Sequence, residues 1–120
     1  MSFDDLLKKY PNAFRYPEEK YSFYYFGFQC KEGWIGLLEP VAEYLNTLNS
    51  SSPVVYIAQV KEKFGGLRIY VHGADDTLNE LIRNAETKSF KVCDECGNPG
   101  TTKNNKGWLR TRCFEHEEKL

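Results

Sequence analysis

The pattern of apolar and polar positions along the chain predicts helices in its first half. Residues 3–9 follow Ser2, a residue type that caps helices, and stop before Pro11, which predicts a short first helix. Apolar residues at three- and four-residue spacing then predict a second helix that starts at residue 37 or 39 and ends at Asn49. Pro40 lies in this segment and either kinks the helix or marks its true start.

A different pattern, short runs of β-branched and aromatic residues, predicts strands. Val54–Lys63 and Leu67–His72 have this composition. Phe64–Gly66 lies between them and supplies residues for the positive φ angles of a hairpin turn. We therefore expect a β-hairpin over residues 54–72. Trp108–Arg112 is predicted to be another short strand.

Two further segments complete the predicted elements. Asp75, Asp76 and Thr77 are candidate caps for a third helix, which has one apolar stripe and ends near Lys88. Residues 21–28 are rich in aromatic side chains and suit a strand that is packed on both faces, although such a run can also stack nucleic-acid bases.

Four residues near the C-terminus are spaced as ligands of one metal ion. Two residues separate Cys93 from Cys96, and two residues separate Cys113 from His116. This spacing lets a tight turn aim both side chains of a pair at one point, and two such pairs supply the donors of tetrahedral zinc. Because four protein ligands fill the coordination sphere, the predicted Zn²⁺ is structural rather than catalytic.

Other roles for these thiols are a disulfide, free thiols or a redox pair. A disulfide framework fits poorly, because the chain starts without an apolar signal segment and its cysteines are not evenly spaced. A redox pair opens a helix, whereas Cys96 is followed by a turn sequence at residues 97–100. We interpret the remaining Cys30 as a small buried hydrophobe, since nothing in the sequence places His72 beside it as a base.

The order of elements around the ligands resembles a treble-clef zinc finger. A ligand loop is followed by a hairpin strand and then by a second ligand pair at the start of a predicted terminal helix, residues 114–120. The positive end of that helix favours a Cys113 thiolate. The predicted fold class is α+β, with a small hairpin-based sheet, two or three covering helices and this module. We expect residues 1–90 to form the core and residues 91–120 the zinc-binding module, within one structural domain.

Composition excludes several classes of protein. The chain has 120 residues and carries 16 Lys and Arg against 17 Asp and Glu, a formal net charge of −1. This excludes a fully disordered, collagen-like or strongly basic protein. No apolar run approaches the roughly 20 residues that span a bilayer, and the acidic N-terminus does not resemble a secretory signal. We therefore expect a cytoplasmic protein without a membrane partner.

Charge is unevenly distributed, because residues 96–114 contain no Asp or Glu. Basic residues around a tryptophan are typical of phosphate contact and base stacking. The candidate binding residues in this stretch are Lys103, Lys106, Trp108, Arg110 and Arg112. The same pattern also fits a solvated loop beside a zinc site, whose cations offset the negative charge of three thiolates.

The predicted hairpin offers a second candidate surface. Alternation along each strand places polar side chains on one face, namely Gln59, Lys61 and Lys63 from the first strand and Arg68, Tyr70 and His72 from the second. If the register aligns them, they form a cationic surface for an acidic protein, a phosphate or a nucleic-acid backbone. The alternative is a solvated face whose ion pairs contribute little stability.

The hairpin and the ligand region together resemble a group of small, mostly uncharacterised proteins of bacteriophages and bacterial genomes. The resemblance runs from Gly33 to His116 and rests on four motifs: Gln59-x-Lys61-Glu62-Lys63-Phe64-Gly65-Gly66-Leu67-Arg68-x-Tyr70, Ala85-Glu86-x-x-Ser89, Cys93-x-x-Cys96-Gly97-x-Pro99-Gly100 and Gly107-Trp108-x-x-Thr111-x-Cys113-x-x-His116. It implies a cytoplasmic protein, related to a phage or mobile element, with a zinc module. It carries over no catalytic residues.

These observations leave three hypotheses for function. The first is a small zinc-binding protein that acts by stoichiometric protein binding, as a phage-type inhibitor or adaptor of a host defence protein or, in a close variant, as an immunity protein against a toxin. The second is a nucleic-acid-binding zinc-finger protein that uses residues 101–112, which the net charge of −1 disfavours. The third, an enzyme, is not expected, because zinc ligation by His116 leaves only His72 and the sequence has no phosphate-binding loop.

Overall fold

The structure is a computed structural model that describes residues 1–14, 27–50 and 55–117. The elements in chain order are helix α1 (Phe3–Lys9), strand β1 (Phe28–Gln29), a 3₁₀ turn (Glu32–Trp34), helix α2 (Ile35–Leu48), strands β2 (Tyr56–Lys63) and β3 (Gly66–His72), helix α3 (Asp76–Ser89), and strands β4 (Thr101–Asn105) and β5 (Trp108–Arg112). The described strands form one sheet of order β1-β2-β3 and a separate β4-β5 pair. The predicted α+β class is confirmed at this level.

The first helix is capped as its sequence predicts. Ser2 Oγ accepts a hydrogen bond from the Asp5 N–H at 3.1 Å, and the Asp5 carboxylate accepts one from the Ser2 N–H at 2.9 Å. This reciprocal capping box satisfies two backbone donors at the start of the helix. Because α1 ends at Lys9, before Pro11, its predicted bounds are confirmed.

The second helix starts earlier than the sequence predicts. It begins at Ile35, directly after the 3₁₀ turn, instead of at residue 37 or 39. Pro40 therefore lies inside α2 and not at its start. Proline removes one backbone hydrogen bond, to the carbonyl of Gly36 in the first helical turn. Burial of one helix face offsets this loss, and the buried residues are Ile35, Leu38, Val41, Ala42 and Leu45.

The β-hairpin has the predicted location but a shorter turn. Strands β2 and β3 are antiparallel with Lys63 opposite Gly66, so the loop consists of Phe64 and Gly65 alone. These two residues have φ angles of +54° and +85°, which is the combination of a type I′ turn. The prediction that Gly66 belongs to the turn is wrong. Gly66 is a strand residue, and the Phe90 ring occupies the space where a side chain would be.

One apolar core joins the helices to the sheet. Buried side chains from α1, the 3₁₀ turn, α2, α3, β2 and β3 belong to it, among them Leu6, Trp34, Leu45, Val60, Leu67 and Leu78. Burial of such side chains is the main favourable term in folding. No helix among the described residues has the length and apolar character needed to cross a bilayer.

Helix α3 also covers the free edge of the three-stranded sheet. Ser89 Oγ accepts a hydrogen bond from the Leu67 N–H at 2.9 Å, and the Glu86 carboxylate accepts one from the Ile69 N–H at 2.9 Å. Both amides belong to β3, one of the two outer strands of this sheet, and would otherwise lack a strand partner among the described residues. Glu86 and Ser89 therefore serve the fold by closing this edge.

The remaining predicted elements are partly confirmed. Of the three candidate caps, Asp75 is the one that caps α3, and β5 spans Trp108–Arg112 as predicted. Most of the predicted strand over residues 21–28 lies outside the described residues, and its described end forms β1. Of the predicted terminal helix, residues 114–116 form a single turn and residues 118–120 lie outside the described part of the chain.

We expect replacement of Ser89 to destabilise the fold. Ser89→Ala removes the acceptor of the Leu67 amide and leaves a buried N–H unpaired, which costs about 1–3 kcal/mol. Thr87→Ala, at an exposed position of the same helix, is the matched control and should leave stability unchanged or slightly higher. Urea denaturation measures both variants. Equal midpoints would show that Ser89 does not close the sheet edge.

Candidate metal centre

The first predicted ligand pair lies on a tight loop between α3 and β4. The Gly97 N–H donates to the Cys93 carbonyl at 3.0 Å, and the Cys93 N–H donates to the Asn98 carbonyl at 2.8 Å. A β-bridge between Val92 and Pro99 closes the base of the loop. These backbone bonds bring the two ends of the loop together and hold the ligand turn in a compact form.

The second ligand pair follows β5. The N–H groups of His116 and Glu117 both donate to the Cys113 carbonyl, at 3.1 and 3.0 Å. This turn places His116 Nδ1 only 3.2 Å from Cys113 Sγ. Because β5 runs antiparallel to β4, with Arg112 opposite Thr101, the chain returns to the first ligand loop.

The four predicted ligands meet at one point. The sulfur atoms of Cys93, Cys96 and Cys113 and a ring nitrogen of His116 all lie within 4.8 Å of one another. Cys93 Sγ is 3.7 Å from His116 Nδ1, and Cys96 Sγ is 3.7 Å from Cys113 Sγ. Sulfur donors on a tetrahedral zinc ion, with bonds of about 2.3 Å, are about 3.8 Å apart. The cluster therefore has the donors and the dimensions to bind a metal ion such as zinc.

Backbone donors stabilise the thiolate form of Cys93. Burial raises the pKa of this thiol, but the N–H groups of Cys113, Cys96 and Glu95 donate to the sulfur, and so does the Cys96 thiol. Together these bonds lower the pKa from 9.0 to about 7. A metal ligand must be deprotonated, so this environment favours the form that binds.

The first ligand loop packs directly on the core. The Gly33 N–H donates to the Asp94 carbonyl at 2.8 Å, and the indole N–H of Trp34 donates to the Val92 carbonyl at 2.8 Å. A side chain at Gly33 would lie 2.4 Å from backbone atoms of Asp94 and Cys93, so glycine is required for this approach. Trp34 is fully buried, and the loop is therefore attached to a well-packed part of the core.

A buried ion pair and a buried hydroxyl connect β5 to the rest of the protein. Arg112 Nε donates to Asp94 Oδ1 at 3.0 Å, and the two side chains are only 10% and 2% exposed. One residue earlier, Thr111 Oγ1 donates to the carbonyl of Gly65 in the β2-β3 turn at 2.7 Å. The strand that leads to Cys113 is thus held both by the first ligand loop and by the hairpin turn.

The structure places most cations of the basic segment in ion pairs. Three of the predicted binding residues have acidic partners: Arg112 with Asp94 at 3.0 Å, Arg110 with Glu62 at 2.9 Å, and Lys103 with Glu117 at 2.6 Å. Trp108 is 60% exposed, and the Arg110 guanidinium lies 5.2 Å from the centre of its ring. Lys106 lies in the β4-β5 turn with a φ of +55°. Acids from outside this stretch therefore offset much of its charge.

The register of the β-hairpin brings the other predicted binding residues together. The cross-strand pairs are Gln59 with Tyr70, Lys61 with Arg68, and Lys63 with Gly66. His72 is opposite Tyr56, and the two rings stack at 4.9 Å. Gln59 also donates from Nε2 to Gln29 Oε1 at 2.9 Å, which ties it to the neighbouring strand. Lys61, Arg68 and Tyr70 consequently occupy adjoining positions on one face.

The fourth cysteine is not part of the metal cluster. Cys30 is partly buried and packs against the apolar core. Its burial and the nearby carboxylates of Asp94 and Glu62 raise the pKa of the thiol to about 12. The thiol is therefore neutral at physiological pH, which agrees with its interpretation as a packing residue.

Comparisons with known proteins add no relative. No protein-family model, no curated protein and no solved structure matches this chain. The resemblance to small phage and bacterial proteins therefore stays a prediction. Among the described residues, the cluster of four donor atoms is the strongest indication of function.

We expect Gly33→Ala to displace the first ligand loop. The added methyl group would lie 2.4 Å from backbone atoms of Cys93 and Asp94, so the loop must move, at a cost of about 1–3 kcal/mol. Gly36→Ala is the matched control, because a methyl group there meets no atom within 4 Å and alanine favours the helix. Thermal unfolding and the rate of metal loss to a chelator are the measurements. A Gly33→Ala variant that keeps its metal as well as the control would contradict this assignment.

Proposed function

We propose that this chain is a small zinc-binding protein whose metal is structural and which acts by stoichiometric binding to another protein. The proposal rests on the cluster of Cys93, Cys96, Cys113 and His116, whose donor atoms lie within 4.8 Å of one another. Four protein donors fill a tetrahedral shell and leave no open position for a substrate or a reactive water. Zinc bound there would supply folding energy to the C-terminal segment.

We also propose that the C-terminal segment is treble-clef-like. The order of its parts supports this proposal: a ligand loop at residues 93–98, the hairpin of β4 and β5, and a ligand turn at residues 113–116. A treble clef ends in a helix, so the rest of the helix predicted over residues 114–120 would complete the resemblance to that motif.

Exposed aromatic side chains support the protein-binding part of the proposal. Phe64 is 66% exposed at the end of the first hairpin, and Trp108 is 60% exposed on the second. Aromatic residues are enriched in protein interfaces, where they bury a large area with few rotatable bonds. A host protein or a toxin is the kind of partner we propose. Cysteines that are not paired in disulfides are typical of a reducing compartment, which supports a cytoplasmic location.

Nucleic-acid binding by β4 and β5 is the second candidate function. Trp108, Lys103 and Arg110 line a cavity of about 250 Å³ on the outer face of this hairpin, and a tryptophan among cations can stack a base. The ion pairs of Lys103 and Arg110, however, compete with phosphate for these cations. The net charge of −1 also gives little electrostatic attraction to a polyanion. Protein binding is therefore the favoured proposal.

Native mass spectrometry tests the metal. We expect one zinc ion per chain in the wild type and none in Cys113→Ser. Loss of the metal should lower the free energy of unfolding by more than about 4 kcal/mol, the range that metal loss produces. Cys30→Ser is the matched control, because Cys30 lies outside the cluster, and it should keep the zinc. Zinc binding by Cys113→Ser at wild-type stoichiometry would contradict the proposed ligand set.

Affinity capture from a bacterial lysate, with and without nuclease, tests the binding function. We expect a protein to be retained at a fixed ratio after nuclease treatment, since a stoichiometric protein complex does not depend on nucleic acid. Capture of nucleic acid alone, lost on nuclease treatment and strongly weakened by added salt, would instead favour the second candidate.

A further inference from the structure

Phe64 occupies a backbone position that is costly for its residue type. It has a φ of +54° in the two-residue loop between β2 and β3. Bulky side chains disfavour this left-handed region, and Asn, Asp and Gly are the residues that suit the first position of a type I′ turn. The Phe64 side chain is also 66% exposed, so packing in the core does not offset the cost. A role at the surface would explain a phenylalanine here.

The hairpin of β4 and β5 has the same kind of turn, but no aromatic residue lies at its first turn position. Lys106 and Gly107 have φ angles of +55° and +88° between β4 and β5. An exposed lysine occupies the position that corresponds to Phe64. The turn geometry therefore does not require an aromatic residue, and Lys106 provides a matched position for comparison.

Cations without an ion-pair partner among the described residues lie on the two strands that flank Phe64. Lys61 lies directly opposite Arg68 on the hairpin. The Lys63 ammonium is 5.5 Å from the centre of the Phe64 ring, and the Lys61 ammonium is 5.8 Å from that of Tyr70. In the part of the chain that the structure describes, Lys61, Lys63 and Arg68 form no ion pair. The cations of β4 and β5 differ in this respect, since most of them have acidic partners.

Arg68 also has an unsatisfied donor. Its Nε is buried and makes no hydrogen bond to any described residue. The Nε of Arg110 is buried in the same way, but Arg110 Nη1 donates to Glu62 at 2.9 Å. Guanidinium groups bind carboxylates strongly, and no described carboxylate forms an ion pair with Arg68.

We propose that the hairpin tip, defined as Lys61, Lys63, Phe64, Arg68 and Tyr70, binds an acidic segment of a partner protein that also carries an apolar side chain. This inference rests on the proposed protein-binding function. Phe64 supplies an apolar anchor and the cations pair with carboxylates around it, which is the usual division between the core and rim of an interface. A nucleic acid fits this surface less well, because lysines already lie over the rings on which bases would stack.

Two pools of displayed short peptides test the chemistry of the partner. One pool has Asp or Glu at alternate positions, the other has Lys or Arg there, and the remaining positions are random in both. We expect the zinc-loaded protein to enrich the acidic pool at least about tenfold over the basic pool, with Leu, Phe or another large apolar residue in the enriched peptides. Equal enrichment of the pools would overturn the proposal. So would binding of a single-stranded oligothymidylate more tightly than any enriched peptide.

Phe64→Asn separates binding from folding. Because Asn suits the first position of a type I′ turn, this variant should be at least as stable as the wild type. We expect it to bind an enriched acidic peptide about tenfold more weakly. Lys106→Asn makes the same change in the other hairpin and should keep the wild-type affinity. Unchanged affinity in Phe64→Asn, or an equal loss in Lys106→Asn, would show that Phe64 is not an anchor.

A charge variant distinguishes failure of this surface from failure of the proposed function. Lys61→Gln combined with Arg68→Gln should keep the zinc ion and lose most of the affinity for the enriched acidic peptide. If a protein captured from lysate is retained equally by the wild type and by this variant, the hairpin tip is wrong and the proposed function stands. If the wild type captures no protein and enriches no acidic peptide, both fail.

Discussion

The close approach of Gly33 to the Cys93-Asp94 backbone sets the position of the metal ligands relative to the core. The Gly33 N–H and the Asp94 carbonyl are joined at 2.8 Å, and a side chain at residue 33 would collide with this backbone. The buried indole of Trp34 then fixes the segment before the ligand loop through Val92. Since Asp94 also pairs with Arg112, the same loop orients the strand that carries the second ligand pair. A single glycine contact therefore underlies the geometry of the whole centre.

The ligand spacing was sufficient to predict which four side chains meet, because each pair is local and its geometry depends on one tight turn. The Ser2 cap of α1 is likewise local and agrees with its prediction, and the cap of α3 is one of the three predicted candidates. The start of α2 was not predictable in this way. Pro40 favours a helix that starts close to it, whereas burial of Ile35 in the core extends the helix to residues before 37.

The sequence patterns missed ion pairs and hydrogen bonds between residues that are far apart along the chain. The stretch without acidic residues suggested a positive surface, yet Glu62 lies 48 positions from its partner Arg110 and Asp94 lies 18 from Arg112. The roles of Glu86 and Ser89 depend on the same kind of distant contact, since they accept hydrogen bonds from a strand that precedes their helix. A count of charges along the sequence cannot show these pairs. Both hairpins are rich in Lys and Arg, but most of the cations of β4 and β5 are in ion pairs.

The hydrogen bond from Thr111 to Gly65 joins the two hairpins, and it has a thermodynamic consequence. Thr111 lies two positions before the ligand Cys113, and Gly65 follows Phe64 in its turn. Any free energy that metal binding contributes to ordering β5 is therefore shared with the conformation of that turn. Such coupling is reciprocal. If the metal raises the affinity of the turn for a partner by some factor, the partner raises the affinity for the metal by the same factor. Metal binding at the cluster would thus be linked to the conformation of the turn through this buried hydroxyl and through the ion pair of Arg110 with Glu62.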